Sequence, residues 1–247
     1  MNPAPVGHHC PTCVAEGKQD TRRIRRPLTR PRSVTSAILV VNIGVFAVDW
    51  VLGQAGRPDT LLEGGAMVPL LVANGEWWRL LTAIFLHIGL FHLAFNSLAL
   101  LIFGGLIEEA FGSARMLALY LVTGFFASVT SFTFGSAGVA AVGASGAIFG
   151  MLGAWLAYNL RRRSLSMARA NVQSALFLIG INLVFGFTVP GIDNLAHIGG
   201  LVSGVAAGFA AEGLGRRTTG RTSNAAGLAA IALLAVVLAL WRSSQLT

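Results

Sequence analysis

Seven long stretches of this sequence carry almost no charged residue, and they recur along most of the chain. A membrane-spanning α-helix needs about 20 apolar residues, and stretches of about 15 to 19 residues approach that length. The chain is 54% hydrophobic and 11% charged, which is too apolar for a water-soluble protein of 247 residues. The sequence therefore predicts an all-α fold, a polytopic bundle of membrane helices. The predicted spans are 34–52, 90–107, 116–134, 146–160, 174–189, 195–211 and 225–241.

The lysines and arginines predict how these spans are oriented. With the N-terminus in the cytoplasm, fifteen of the eighteen basic residues fall on the inner side, and only Arg57, Arg79 and Arg242 fall outside. Seven spans then place the C-terminus outside. The net charge of +8 lies in short blocks between apolar runs, which favours a lipid bilayer as partner and argues against nucleic acid.

The polar residues within the spans gather near the outer ends of the helices that run inward. His92 and Asn96 are four residues apart in the second span and so share a helix face. Ser145 stands where the fourth span begins, and His197 where the sixth begins. A helical rise of 1.5 Å per residue places the serine ~24 Å up a hydrocarbon slab of ~30 Å. Costly polar groups at one shared depth indicate a functional site.

Glycines surround the serine of this group. Gly143 and Gly146 permit a tight turn and an open approach to the Ser145 hydroxyl. The helix N-terminus that follows offers backbone N–H groups to a developing oxyanion. Alone, a Gly-x-Ser-Gly pattern is weak, because small residues in membrane helices commonly serve helix packing.

The histidine also precedes a glycine-rich helix face. Gly200 and Gly204 form a small-xxx-small pattern after His197, and the serine helix has the same spacing between Gly146 and Gly150. Such faces let two helix backbones approach closely. A lone membrane histidine is more often a structural hydrogen-bonding group. Paired with a serine at matching depth, it predicts a base within reach of a nucleophile.

Together these residues resemble the rhomboid family of intramembrane serine proteases. The resemblance covers 34–212 and implies a six-helix core followed by one extra helix. It rests on Gly143-Ala144-Ser145-Gly146, His197 with Gly200 and Gly204, His92 with Asn96, Trp78-Arg79, and Gly104, Glu108 and Gly112 at four-residue spacing.

The resemblance implies a role for each residue near the serine. Ser145 would attack the scissile carbonyl, and His197 would take the hydroxyl proton and pass it to the leaving amine. His92, Asn96 and the Ser145 backbone N–H would form the oxyanion hole. Phe149 would pack against the imidazole.

The same resemblance implies two supporting contacts outside this site. Trp78 and Arg79 would anchor the outer loop. Glu108, with Gly104 and Gly112, would brace the inner turn between the second and third spans.

Two residues keep two interpretations each. Asp193, four residues before His197, is either the third member of a catalytic triad or, as its ordinary role, a helix-capping acid. His87 matches a family position near the route of water, or it is an exposed loop histidine.

The N-terminal arm poses a separate question. We assign 1–33 to a basic cytoplasmic arm, 34–212 to the protease core, and 213–247 to a linker and the seventh helix. In the arm, His8, His9, Cys10 and Cys13 resemble half of a zinc-binding module that precedes the core in actinobacterial rhomboids. A stable structural zinc site has four ligands, commonly from two pairs. We therefore expect no cofactor for the core, with zinc at the arm as the alternative.

The resemblance implies membrane-protein substrates, single-span or polytopic, cleaved near the outer face. An alternative in another class is a catalytically inactive rhomboid-like protein that binds membrane clients. The retained Ser145 and His197 count against that alternative. A transporter would show inverted repeats and broken helices converging near the midplane, and none is evident. No pattern in the sequence specifies an oligomeric state.

Overall fold

Each predicted span coincides with a helix of the computed structural model, which describes residues 2–3, 8–9, 33–57, 59–211 and 220–246. Within these residues six helices are long and apolar enough to cross a membrane, so the predicted polytopic bundle is confirmed. In chain order the helices are α1 (Ser33–Gln54), α2 (Thr60–Gly65), α3 (Pro69–Ala73), α4 (Arg79–Thr82), α5 (Gly89–Phe111), α6 (Ser113–Phe134), α7 (Ser145–Leu160), α8 (Ser166–Thr188), α9 (Asn194–Ala211) and α10 (Gly220–Leu246).

The chain divides into two units, 1–32 and 33–247. In the first unit, strand β1 (Asn2–Pro3) pairs antiparallel with β2 (His8–His9). The second unit contains all ten helices named above. The predicted division between 212 and 213 falls in 212–219, outside the described residues.

Helix α7 is the central helix, and its surroundings explain how 16 residues suffice. Twelve of these residues are buried, because α5, α6, α8 and α9 all pack around the helix. A helix enclosed by protein need not match the full thickness of the bilayer. The predicted span 146–160 is therefore short because it lies inside the bundle.

The predicted close approach of α7 and α9 is present in the structure. A Cβ on Gly200 would overlap the carbonyl oxygen of Gly146, and a Cβ on Gly204 would overlap that of Gly150. Only glycine lets the two backbones come this near. This packing sets where the outer ends of α7 and α9 lie relative to each other.

Helix α8 differs most from its predicted span. It begins at Ser166 rather than at 174, because only a short turn follows α7. Among the added residues 166–173 only Ala168 is buried, whereas Arg169 is exposed. These polar first turns continue the helix because the Arg169 side chain reaches outward from the bundle.

Glu108 contacts the inner turn, as predicted, and it also contacts the first turn of α1. Its carboxylate accepts the Ser113 hydroxyl at 2.7 Å, which lies in that turn. It also accepts the backbone N–H groups of Val34 at 3.0 Å and Thr35 at 2.9 Å. These are unsatisfied donors of the first turn of α1. A carboxylate borne by α5 therefore caps α1.

The outer segment between α1 and α5 is held by side chains reaching to its backbone. Trp78 donates its indole N–H to the Gly64 carbonyl at 3.1 Å. Arg79 is 5% exposed and donates to the carbonyls of Glu63 at 2.7 Å and Ala66 at 2.9 Å. Its guanidinium also pairs with Glu76 at 2.6 Å, a partner that the sequence analysis did not identify.

Candidate active site

Ser145 and His197 meet at the outer ends of two tightly packed helices. Ser145 is the first residue of α7, and His197 lies in the first turn of α9. The Nε2 atom of His197 is 2.9 Å from the Ser145 Oγ. This distance allows a hydrogen bond and hence transfer of the hydroxyl proton to the imidazole. The close approach of the glycine faces below them brings the two residues together.

The main contact that orients the His197 imidazole is an aromatic ring stacked on its face. The Phe149 ring stacks on it with centroids 4.2 Å apart and planes 10° from parallel. Phe149 lies one turn beyond Ser145 on α7, so one helix presents both the nucleophile and the stacking ring. Among the described residues, the Nδ1 atom of His197 has no hydrogen-bond partner.

His92 faces the serine across Gly143. Gly143 has a φ of +129°, and a Cβ there would lie 2.8 Å from the His92 Nε2 and 3.7 Å from the Ser145 Oγ. The Ile88 backbone N–H donates to the His92 Nδ1 at 3.4 Å. Because Nδ1 accepts, the proton of the neutral ring lies on Nε2, which is beside Gly143.

Asn96 lies one turn beyond His92 and is buried. Its side-chain amide donates to the His92 carbonyl at 2.9 Å. A carboxamide carries two N–H hydrogens, so this bond leaves one for another acceptor. The oxyanion roles of His92 and Asn96 stay predictions.

The segment before Ser145 is fixed by backbone hydrogen bonds to the outer segment. Met67 and Ala141 exchange two of them, at 3.1 and 2.8 Å. The Gly143 N–H donates to the Ala83 carbonyl at 2.9 Å. The anchored outer segment therefore holds the strand-like approach to the serine in place.

Asp193 caps α9 instead of contacting the imidazole. Its Oδ1 accepts the Ala196 backbone N–H at 3.0 Å, and its Oδ2 accepts the Ser131 hydroxyl at 2.5 Å. The structure therefore supports the capping interpretation of Asp193 and argues against a third catalytic member. Ser131 carried no sequence signal, because a serine in an apolar helix is ordinary.

His87 is buried, so its interpretation as an exposed loop histidine is wrong. The residue is 3% exposed, and its ring lies edge-on to His92 with centroids 5.2 Å apart. Burial, together with the nearby His92, lowers the pKa of His87 to about 4. The ring is therefore neutral at physiological pH.

A cavity of about 410 Å³ lies between the outer ends of α6, α8 and α9. Its wall includes Ser131 and Asp193, whereas neither Ser145 nor His197 lines it.

The side chains of the predicted zinc ligands lie outside the part of the chain that the structure describes. Cys10 and Cys13 lie outside the described residues, and of His8 and His9 only the backbone strand is described. Within 33–57, 59–211 and 220–246, no group of three metal-binding side chains is found. Zinc at the arm stays a prediction.

Comparison with known proteins places this arrangement in a family. A family model described as the Rhomboid domain matches residues 74–212, more than half of the chain. The chain belongs to the rhomboid family. The matched range contains all the residues of the candidate site, so Ser145 and His197 both lie within the rhomboid domain.

Similar proteins occur in bacteria and plants. This rhomboid is 44% identical to "Rhomboid protease GluP" of Bacillus subtilis over 73% of its own length and 34% of the relative's. It is 43% identical to "RHOMBOID-like protein 1" of Arabidopsis thaliana, over 70% and 51%. It is 41% identical to "RHOMBOID-like protein 6, mitochondrial" of the same plant, over 71% and 67%. The chain thus spans a third of the length of GluP and half that of RHOMBOID-like protein 1.

Proposed function

We propose that this rhomboid is an intramembrane serine endopeptidase that cleaves membrane proteins near the outer face of the bilayer through a Ser–His dyad. The observation that carries this proposal is the 2.9 Å contact between the Ser145 Oγ and the His197 Nε2 at the outer ends of α7 and α9. The similarity to a relative named as a rhomboid protease supports it.

The first step forms an acyl-enzyme. The Ser145 Oγ attacks the scissile carbonyl carbon while its proton moves to the His197 Nε2, which gives a tetrahedral oxyanion. The intermediate collapses as the imidazolium passes that proton to the leaving amine, so the C–N bond breaks. Water then attacks the acyl group with His197 as base, and the serine is restored. The reaction needs no cofactor.

Three donors are proposed to stabilise the oxyanion. The Ser145 backbone N–H belongs to the first turn of α7, where no helical carbonyl accepts it. The His92 Nε2–H faces the same region across Gly143. The second amide hydrogen of Asn96 is the third. Loss of one such donor typically lowers kcat by about 10²–10³-fold.

The substrate class follows from the depth of the dyad. A peptide bond within a membrane helix has its carbonyl engaged in a helical hydrogen bond, so the segment must unwind before attack. We therefore propose single-span or polytopic membrane proteins with small or helix-breaking residues near their outer end. The bilayer supplies the surroundings, and the distribution of basic residues supports a cytoplasmic N-terminus and an external C-terminus.

Cleavage of a single-span substrate in lipid vesicles tests the dyad. The wild-type protein is expected to cleave it, and Ser145→Ala and His197→Ala are expected to lose cleavage by at least about 10³-fold. A fluorophosphonate probe should label Ser145 in the wild type only. Ser203→Ala removes a buried serine of α9 that lies outside the site, and it is the matched control that should remain active.

Equal cleavage by all these variants would refute the proposed function. Binding of the substrate by the wild type, without cleavage and without labelling of Ser145, would instead support the alternative of a catalytically inactive client-binding protein.

A further inference from the structure

Asp193 joins α6 to the start of α9 through three hydrogen bonds. One carboxylate oxygen accepts the Ala196 N–H, which caps the helix, and the other accepts the hydroxyl of Ser131 on α6. The Asp193 carbonyl accepts the His197 backbone N–H at 3.2 Å.

His197 depends on this junction because no side chain orients its second ring nitrogen. Within the described residues the Nδ1 atom is buried without a partner. In a Ser-His-Asp triad, a carboxylate bound at that nitrogen fixes the ring. Here the direction of the imidazole follows from the Phe149 stack and from where the first turn of α9 lies.

The junction also sets that turn against α6. Further along α9, a Cβ on Gly199 would overlap the Thr130 Oγ1, so the two helices already touch there. Among the described residues, the Ser131–Asp193 pair is the one side-chain hydrogen bond between α6 and the start of α9. Without it, the first turn of α9 is free to move outward around the Gly199 contact and carry His197 away from Ser145.

We propose that Asp193, held by Ser131, is a positioning residue that fixes His197 for proton transfer. The inference rests on the proposed protease function. The carboxylate acts through the start of α9, and it neither contacts the imidazole nor takes its proton. The Ser131–Asp193 hydrogen bond thereby orients the His197 imidazole indirectly. The third member of a catalytic triad orients the histidine by contacting its ring.

Four variants test this role: Asp193→Ala, Asp193→Asn, Ser131→Ala and the control Ser136→Ala, an exposed serine of the same cavity wall. The measurements are kcat and KM for a single-span substrate in vesicles and the rate of fluorophosphonate labelling of Ser145. Misplacement of a catalytic group by about 1 Å costs up to about 10²-fold in rate. We therefore expect Asp193→Ala to lower kcat and the labelling rate by about 10–100-fold, with KM within about twofold of wild type.

Ser131→Ala should lower both rates by about 10-fold, because the helix cap remains. Asp193→Asn should restore them to within a few-fold of wild type, since the Asn oxygen can cap α9 and its amide can donate to the Ser131 hydroxyl. The double variant Ser131→Ala/Asp193→Ala should be no worse than Asp193→Ala alone, because both remove one interaction. The control should match the wild type.

Equal labelling rates for Asp193→Ala and wild type would overturn the inference. So would a loss in Asp193→Asn as large as in Asp193→Ala while Ser131→Ala is unaffected, because the charge of Asp193 would then matter rather than its bond to α6. If Asp193→Ala does not fold, the comparison of Ser131→Ala with Asp193→Asn decides. A wild-type protein that is not labelled at Ser145 would refute the proposed function instead.

Discussion

At the scale of single residues, the site depends on side chains whose protons are assigned by their neighbours. The Ile88 N–H donates to the His92 Nδ1, which leaves the proton of the neutral ring on Nε2, beside Gly143. Phe149 holds the face of His197 without competing for its nitrogens. Each contact restricts one ring to one orientation, so both histidines are prepared before a substrate binds.

His87 provides a prediction about stability and pH. Its folded-state pKa of about 4 lies below the usual value of 6.5, so the unfolded chain binds a proton more readily between these values. The contribution of the neutral ring to the free energy of unfolding is complete above pH 6.5 and is lost as the pH falls toward 4. Complete loss of this contribution lowers the free energy of unfolding by about 3 kcal/mol.

Thermal unfolding in detergent between pH 7 and pH 4 measures this effect, with His87→Leu as the comparison. The variant should lose less stability than the wild type over that range, because it has no imidazole to protonate. Parallel pH profiles for the two proteins would contradict the assignment.

At the scale of helices, α7 and α8 show opposite packing. Helix α7 is enclosed and meets α9 through glycine backbones, whereas in α8 only Ala168, Ala175 and Ile179 are buried. The buried residues of α8 lie in its first two thirds, so its outer end has few contacts with the bundle. The α7–α9 pair is therefore the rigid part on which the dyad is built.

A matched pair of glycine substitutions tests this contrast. In Gly204→Ala the new Cβ would overlap the Gly150 carbonyl, which should separate α7 from α9 and lower stability by about 1–3 kcal/mol or more. In Gly180→Ala, on α8, the new Cβ meets nothing within 4 Å, so stability should be unchanged or slightly higher. Thermal unfolding and the labelling rate of Ser145 measure both variants. Equal effects of the two substitutions would show that the glycine contact of α7 and α9 is not critical.

At the scale of the whole molecule, the orientation in the membrane decides on which side of the bilayer Ser145 and His197 lie. The structure places Ser145, His197 and the cavity at the same end of the bundle as the outer segment. The distribution of basic residues predicts that the opposite end faces the cytoplasm. The proposed cleavage near the outer face depends on this assignment.

The two native cysteines, Cys10 and Cys13, allow a direct test of orientation. A membrane-impermeant maleimide should leave them unlabelled in intact spheroplasts and label them after permeabilisation, because the arm is predicted to be cytoplasmic. A variant with Cys10→Ser, Cys13→Ser and Ser136→Cys should be labelled without permeabilisation, because Ser136 is exposed at the other end. The reverse pattern would contradict the orientation.

The sequence by itself determined the membrane bundle, the approximate helix bounds and the residues of the candidate site. Hydrophobic length and charge distribution are local properties, so they can be read without knowing how helices pack. The glycine spacing also predicted a tertiary contact, because a face of small residues on a membrane helix mainly serves the close packing of another helix. It predicted the approach of α7 and α9 on which the 2.9 Å contact depends.

Only the tertiary structure decided the contacts between residues far apart in the chain. These include the Glu76 partner of Arg79, the capping of α1 by Glu108, the burial of His87 and the Ser131–Asp193 bond. Each depends on which faces of two helices meet and at what height, which no single segment encodes. A hydrogen bond between helices exists only once packing has brought donor and acceptor within about 3 Å.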